Sequence, residues 1–315
     1  MEAMARLLSQ GRSELAKAIV GQQEFVDQTL MAVLCGGHAL VEGVPGIAKT
    51  LVVKVLARIL QIQFQRVQAT SDLMPADILG TNVLNLATST FSLHRGPVFT
   101  DLLLVDEINR MPPRTQAALL ESMEERQITI DGVRYPLSEW FTVFATQNPV
   151  EFEGTYPLPE AQLDRFLLKI KVRYPQAEQE ALILEKHHHG FDARHLDALE
   201  LALIDTELLR AARRELQQVK VEEALFRYIT AVARRTRDWP ALALGASPRA
   251  AISLLLVAKA VAAIDARDYL IPDDVKTAAL PVLRHRMILK PEAELEGMDT
   301  DRVISEVLAA VEVPK

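Results

Sequence analysis

The sequence predicts an α/β domain with a mainly parallel sheet, followed by an all-helical domain. In the first part, short apolar runs alternate with longer helical patterns, the signature of strands joined by crossover helices. One of those runs, Leu102-Leu103-Leu104-Val105, is apolar at every position, as a strand covered on both faces is. Beyond Tyr174-Pro175 almost every segment carries helix-like apolar spacing.

In chain order, the predicted strands cover residues 38–41, 64–68, 102–105, 141–145 and 166–172, giving a five-stranded sheet. Two hairpins interrupt this part. The first covers residues 83–95, around 87–90. The second covers residues 127–135, where Asp131-Gly132 suits a two-residue turn that needs positive φ. Proline disfavours helix at the residue before it, so Tyr174-Pro175 marks a break. We place the boundary there, with an α/β domain at residues 1–173 and a helical domain at 174–315. Helices are predicted at 207–216, 222–237, 248–266, 272–280 and 300–311, with Ser247-Pro248 and Ile271-Pro272-Asp273-Asp274 as starts.

Composition narrows the class. With 315 residues, 49% hydrophobic and 24% charged, the chain is neither disordered nor fibrous. Residues 250–264 are the nearest approach to the roughly 18 apolar residues of a membrane span, but they carry Lys259 and read as a buried helix. The N-terminus mixes Glu2, Arg6, Arg12, Glu14 and Lys17 without an apolar core, so no signal peptide is expected. A single cysteine, Cys35, excludes an internal disulfide framework and fits a reducing, cytoplasmic setting. The net charge of −7 and 5% aromatic content argue against a nucleic-acid surface.

Gly43-Val44-Pro45-Gly46-Ile47-Ala48-Lys49-Thr50-Leu51 follows the apolar run Ala39-Leu40-Val41. It precedes a helix with Val52, Val55, Leu56 and Ile59 on one stripe. Strand, glycine loop, Lys-Thr and helix make a phosphate-binding loop. Backbone N–H groups at the helix start face phosphate, Lys49 serves the β- and γ-oxygens of ATP, and Thr50 offers its hydroxyl to Mg²⁺. Ala48 departs from the strict pattern, which has glycine there; it fits with φ below zero or with modest strain. The 102–105 strand ends in Asp106-Glu107. Carboxyl ends of parallel strands are where ligands bind, so Asp106 suits the Mg²⁺ shell and Glu107 the polarisation of water.

These segments, with Phe144-Ala145-Thr146-Gln147-Asn148-Pro149 and the run from Gly154-Thr155-Tyr156-Pro157 to Leu163-Asp164-Arg165-Phe166, resemble the MoxR family of AAA+ ATPases. The resemblance covers nearly the whole chain, and that family also carries alanine before the loop lysine. It implies an AAA+ core with hairpin insertions and a helical lid, and a role for each matching residue. Val20 and Gly21, within Ile19-Val20-Gly21-Gln22, match the segment beside the adenine. Asn148 matches the sensor of the γ-phosphate. Arg165 matches the arginine finger that reaches a neighbouring subunit's nucleotide, and Arg249 the lid sensor, serving either its own or a neighbour's nucleotide. By resemblance, the expected protein is an ATPase that remodels client proteins, proteins with von Willebrand A domains among them, as a hexameric ring whose hairpins contact the client. A helicase-like motor and a non-hydrolysing nucleotide-dependent scaffold are the alternatives.

Three conspicuous features read blandly. Consecutive side chains of His187-His188-His189 point about 100° apart on a helix and converge poorly on a metal ion. Cys35 reads as a buried, inert thiol. Charged runs at 121–126 and Arg234-Arg235 read as solvated helix faces or inter-subunit surface.

Overall fold

The computed structural model describes residues 1–86, 89–149 and 154–314. Helices α1 (Glu2–Ala18) and α2 (Gln23–Leu34) precede β1 (Ala39–Glu42). The glycine loop leads into α3 (Lys49–Ile59), then β2 (Phe64–Gln68). Short α4 (Pro75–Leu79) opens the first hairpin, β3 (Gly80–Asn85) and β4 (Thr90–Arg95). Next come β5 (Leu102–Asp106), α5 (Pro113–Glu125), the second hairpin of β6 (Gln127–Ile130) and β7 (Val133–Pro136), and β8 (Thr142–Gln147). One-turn α6 (Glu160–Leu163) and β9 (Leu168–Lys171) close the α/β part. The rest comprises α7 (Ala177–His188), α8 (Thr206–Gln217), α9 (Glu223–Arg237), β10 (Leu242–Leu244), α10 (Pro248–Ile264), α11 (Pro272–Leu283), β11 (Ile288–Leu289), α12 (Pro291–Leu295) and α13 (Thr300–Ala310).

The central sheet has the order β2-β5-β8-β1-β9, with every neighbouring pair parallel. Alternation along each strand sends side chains to opposite faces. Ala39, Val41, Leu102, Leu104, Phe144 and Ile170 pack with α1, α2, α3 and the C-terminal helices in one apolar core. Leu40, Leu103, Val105, Val143 and Ala145 pack with α5 in a second. The sheet is therefore covered on both faces, which is why β1, β5 and β8 carry buried apolar side chains on both of their faces.

The strands begin and end a residue or two from the predicted bounds, for identifiable reasons. Phe166 and Leu167 were expected in the last strand. Instead Phe166 N–H bonds Leu163 O in a turn, and Leu167 N–H bonds His38 O. The predicted 141–145 strand starts after Phe141, whose N–H is taken by Ser138 O, and continues to Gln147. In the lid, α10 stops at Ile264 because Ala266 turns left-handed at φ 56°. Helix α11 runs past the predicted end at 280, with Pro281 inside its last turn. The lid also holds a small antiparallel pair, β10 with β11, where only helices were expected.

Both hairpins are present. In the second, Asp131 at φ 49° and Gly132 at φ 80° supply the two left-handed positions of its turn. In the first, the strands start at Gly80, earlier than expected, and Ala87 and Thr88 of its tip lie outside the described residues.

Candidate nucleotide site

The residues singled out from the sequence sit at two opposite edges of the sheet. Register brings the carboxyl ends of β1, β5 and β8 level: Leu40 pairs with Ala145, and Val105 with the same residue from the other side. The glycine loop after β1, the acids at the end of β5 and Asn148 after β8 thus meet at one edge.

At the loop, Gly46 has φ 84°, and a side-chain Cβ there would meet nothing within 4 Å. The glycine serves backbone conformation and leaves the loop's open face clear for an anion. Ala48 adopts φ 62°, so the second possibility holds: alanine sits in the left-handed region and carries strain. The helix stripe Val52, Val55, Leu56 and Ile59 is fully buried, anchoring α3 so that its first turn faces the loop. Lys49 Nζ donates to Gly43 O at 2.6 Å, which folds the cation over its own loop.

The acids are held by groups that the sequence did not point to. Arg66 Nε, on β2, donates to Asp106 Oδ2 at 2.6 Å. Thr146 Oγ1 donates to Asp106 Oδ1 at 3.3 Å and accepts from the Glu107 N–H at 2.9 Å. Glu107 turns left-handed at φ 58°, and its Oε2 accepts from Gln68 Nε2 at 3.0 Å and forms an ion pair with Arg110, whose Nε lies 2.9 Å away. Arg66 and Gln68 escaped notice because the adjacency of β2 and β5 is a property of topology; Thr146, two residues before Asn148, lay inside a recognised segment.

Next to the loop lies a cavity of about 250 Å³. Ile19, Val20 and Gln22 form one wall, Gly46, Ile47, Ala48 and Leu51 the floor, and Ile183, His187 and Phe191 the far side. Val20 and the loop residues Gly46, Ile47, Ala48 and Leu51 thus line one cavity. Gly21 lies against the Gln179 side chain of α7. The contribution of α7 carries no sequence signal, since none of its side chains is buried.

Arg165 and Arg249 are elsewhere. Arg165 precedes β9, whose first residue Leu168 is level with Ala39 at the start of β1. Both therefore lie toward the amino ends of the strands. Ser247 accepts from Ala250 N–H at the start of α10, as expected of a cap, and donates to Asp164 at 2.9 Å. That bond brings Arg249 beside Arg165. The two guanidiniums share one carboxylate: Arg165 Nε lies 2.9 Å from Glu124 Oε2, and Arg249 Nη1 lies 2.8 Å from Glu124 Oε1. Asp164 itself is held by the buried Arg286, at 2.6 Å. The charged run at 121–126 thus includes a specific partner for both arginines.

Comparison with known proteins follows the same outline. Residues 38–168 match the ATPase family associated with various cellular activities (AAA), and residues 234–307 match the AAA lid domain. The chain is 41% identical to the protein named Chaperone MoxR1 of Mycobacterium tuberculosis, over 96% of this chain and 81% of that protein.

The chain belongs to the MoxR family of AAA+ ATPases.

It is also 42% identical to YeaC of Bacillus subtilis, over 98% of this chain and 95% of that one. The crystal structure of a Cytophaga hutchinsonii protein assigned to the ATPases superposes with a TM-score of 0.90 at 40% identity, covering 99% of this chain and 96% of that one. Nucleotide binding follows from membership of a MoxR-type family, and the five-stranded parallel core with a helical lid is the architecture expected of it. Among the described residues, no helix is long and apolar enough to cross a membrane. Burial pushes the Cys35 thiol up to about 12, which suits a packing role.

Proposed function

We propose that the protein hydrolyses ATP at the interface between two copies of itself and uses the resulting movement to remodel client proteins. One observation carries this reading. Three segments far apart in sequence meet at the carboxyl edge of the sheet with the side chains hydrolysis needs, while two arginines wait at the opposite edge.

The residues present fit ATP and Mg²⁺. The apolar cavity beside Val20 suits a purine ring, and the open loop around Gly46 suits its phosphates. Thr50 and Asp106 would hold Mg²⁺, which when bound would neutralise charge on the β- and γ-oxygens. Asp106 suits a cation, since the Arg66 guanidinium already sits on it. Lys49 would leave Gly43 O for the phosphates. Glu107 would accept the proton of a water that attacks the γ-phosphorus as the bond to the β-bridging oxygen breaks and ADP departs. Asn148 would orient that water, since an amide donates to phosphate and accepts from water.

Arg165 and Arg249 would act on an adjoining copy's nucleotide. The four residues of β1 alone separate the two edges by roughly 13 Å, beyond the span of an arginine side chain that is already bonded to Glu124. A contact between one edge of a subunit and the other edge of the next is heterologous, and such contacts give a ring when the rotation between subunits closes. We take the ring to be hexameric and cytoplasmic, the clients to be proteins, with von Willebrand A domains as the first to test, and the divide between core and lid to lie near residue 174. The name of the mycobacterial relative, a chaperone, supports the client reading.

Phosphate release tests the chemistry. Glu107→Gln is expected to bind ATP normally and turn over at least about a hundredfold more slowly. Lys49→Ala is expected to lose binding as well. Near-normal turnover in Glu107→Gln would move the base to another residue.

A further inference from the structure

Glu124 is the last residue but one of α5, at the amino edge of the sheet. Three elements converge on it: α5 from the core, the segment that carries Arg165 into β9, and the first turn of α10 from the lid. Its side chain is 35% exposed, so the pair of arginines it holds faces outward. Arg165 and Arg249 are 27% and 46% exposed at the side chain.

Two guanidiniums do not share a small volume unaided, because like charges repel. A single carboxylate between them removes that repulsion, and each of its oxygens takes one arginine. The neighbouring acid does not compete for them, since Asp164 is engaged by Arg286 Nε and Ser247 Oγ. The cluster of two arginines and one carboxylate keeps a net charge of +1. Each guanidinium carries five N–H donors and spends one on Glu124, so donors remain for a phosphate. The geometry is that of an anion site held ready by an internal anion. Arg249 sits at the positive end of a helix, where an unpaired cation is poorly placed. Glu124 removes that difficulty as well.

We propose that Glu124 is a positioning residue that clamps Arg165 and Arg249 side by side, so that core and lid present both guanidiniums together to the terminal phosphate of an adjoining copy. This rests on the reading that the two arginines act on a neighbour. Glu124 touches no nucleotide of its own subunit, because the Gly43–Thr50 loop is at the other edge.

Three variants test it in the full-length protein: Glu124→Gln, which removes the charge that holds two cations; Glu124→Asp, which keeps the charge on a shorter arm; and Lys49→Ala, which empties the opposite edge. Turnover is measured against ATP concentration at saturating protein. In Glu124→Gln, kcat is expected to fall by up to about a hundredfold, the scale of a misplaced catalytic group, while KM for ATP and the melting temperature hold. Glu124→Asp is expected to recover part of kcat. Mixing Glu124→Gln with Lys49→Ala is expected to restore turnover, since Lys49→Ala subunits carry an intact clamp.

An unchanged kcat in Glu124→Gln would overturn the proposal. A raised kcat would also overturn it, by showing that Glu124 competes with phosphate. A fall in KM-corrected turnover accompanied by lost melting temperature in both variants would assign Glu124 a purely structural role. Arg165→Ala separates the two readings. If it keeps full turnover, the neighbour reading fails; if it loses turnover while Glu124→Gln does not, only the clamp fails.

Discussion

At the scale of single residues, Ala48 shows what the backbone requires of the loop. A left-handed alanine is strained, and glycine at that position is not. Glycine costs more entropy on folding, which offsets part of the gain. Ala48→Gly is therefore expected to stabilise the protein by ~0.5–1 kcal/mol, read from urea unfolding, with ATP affinity unchanged. Destabilisation would mean that the alanine methyl packs usefully in the base cavity it floors. Position 38 gives a pH prediction. His38 lies just before β1, accepts from Val143 N–H at Nδ1, and so carries its proton on Nε2 toward Met123 O. Burial drives its pKa down to about 4. The unfolded chain, with an ordinary histidine, binds the proton first as pH falls. Stability is thus present above about 6.5 and is lost as pH falls toward 4. Full titration is worth about 3 kcal/mol at most. Melting temperature should drop across that window, and His38→Gln should flatten the slope. His285, also held below its usual range by burial, leaves part of the slope in place. Lys49, Thr50, Asp106 and Glu107 were legible from the sequence because the spacing of a phosphate loop and an acid-tipped strand is local. Arg66, Gln68 and Glu124 were not. Each acts through a neighbour supplied by strand order or helix length, which no local pattern encodes.

At the scale of elements, the two hairpins part company. By resemblance, both were expected to contact a client. In the second, Ile128 and Ile130 are 4% and 9% exposed and pack in the core beneath the sheet with Leu119, Leu120 and Met123. They hold the hairpin down and are not available to a client, whereas Val133 on its second strand is 51% exposed. Ile128→Ala is expected to cost 2–5 kcal/mol of stability, roughly the usual range for a core truncation, and to leave client binding alone in whatever remains folded. In the first hairpin, Leu86 is 83% and Phe91 71% exposed, with Val83 and Leu84 nearby. Exposed apolar side chains on paired strands are what a client could dock on. Replacing Leu86 and Phe91 by serine should leave melting and basal turnover unchanged and lower client binding, measured with a von Willebrand A domain as the probe. Unchanged binding would send the search to the lid surface. The same scale shows what the sequence could and could not reveal. The β6–β7 turn was legible in Asp131-Gly132, because only residues tolerant of positive φ fit there. The β10–β11 pair was not, since strands of two and three residues carry no period. The extent of helix α7 was not read for a related reason: with no buried face it has no apolar stripe to detect, and its Lys186 instead ties it to carbonyls near the end of α1, at Ala16 and Lys17.

At the scale of the whole molecule, the residues of the proposed site divide between two opposite edges of the sheet. Lys49, Thr50, Asp106, Glu107 and Asn148 stand at the carboxyl edge; Arg165 and Arg249 stand at the amino edge with Glu124. On the proposed reading a subunit alone holds an incomplete site, and turnover is expected to rise with assembly. The arginine half depends on the lid, since Ser247 and Arg286 both fasten Asp164 beside Arg165. A shift of lid against core would therefore move both arginines, which on the proposed reading would link hydrolysis in one subunit to geometry at the next. Complementation tests this directly. Arg165→Ala keeps an intact loop and acids, so it should bind ATP with wild-type affinity yet fail to turn over. Lys49→Ala keeps an intact arginine edge but binds ATP poorly. Mixed together, the two place Arg165 of one subunit against the complete loop of another, and a fraction of interfaces regains all parts. For random pairing at equal amounts that fraction approaches one quarter, so recovery should be partial and should vary with the mixing ratio. Recovery scaling with the product of the two fractions would support a site shared between copies. Zero recovery, with mixed assembly confirmed by pull-down of differently tagged subunits, would place Arg165 in its own subunit's structure and remove the reason for the two-edge arrangement.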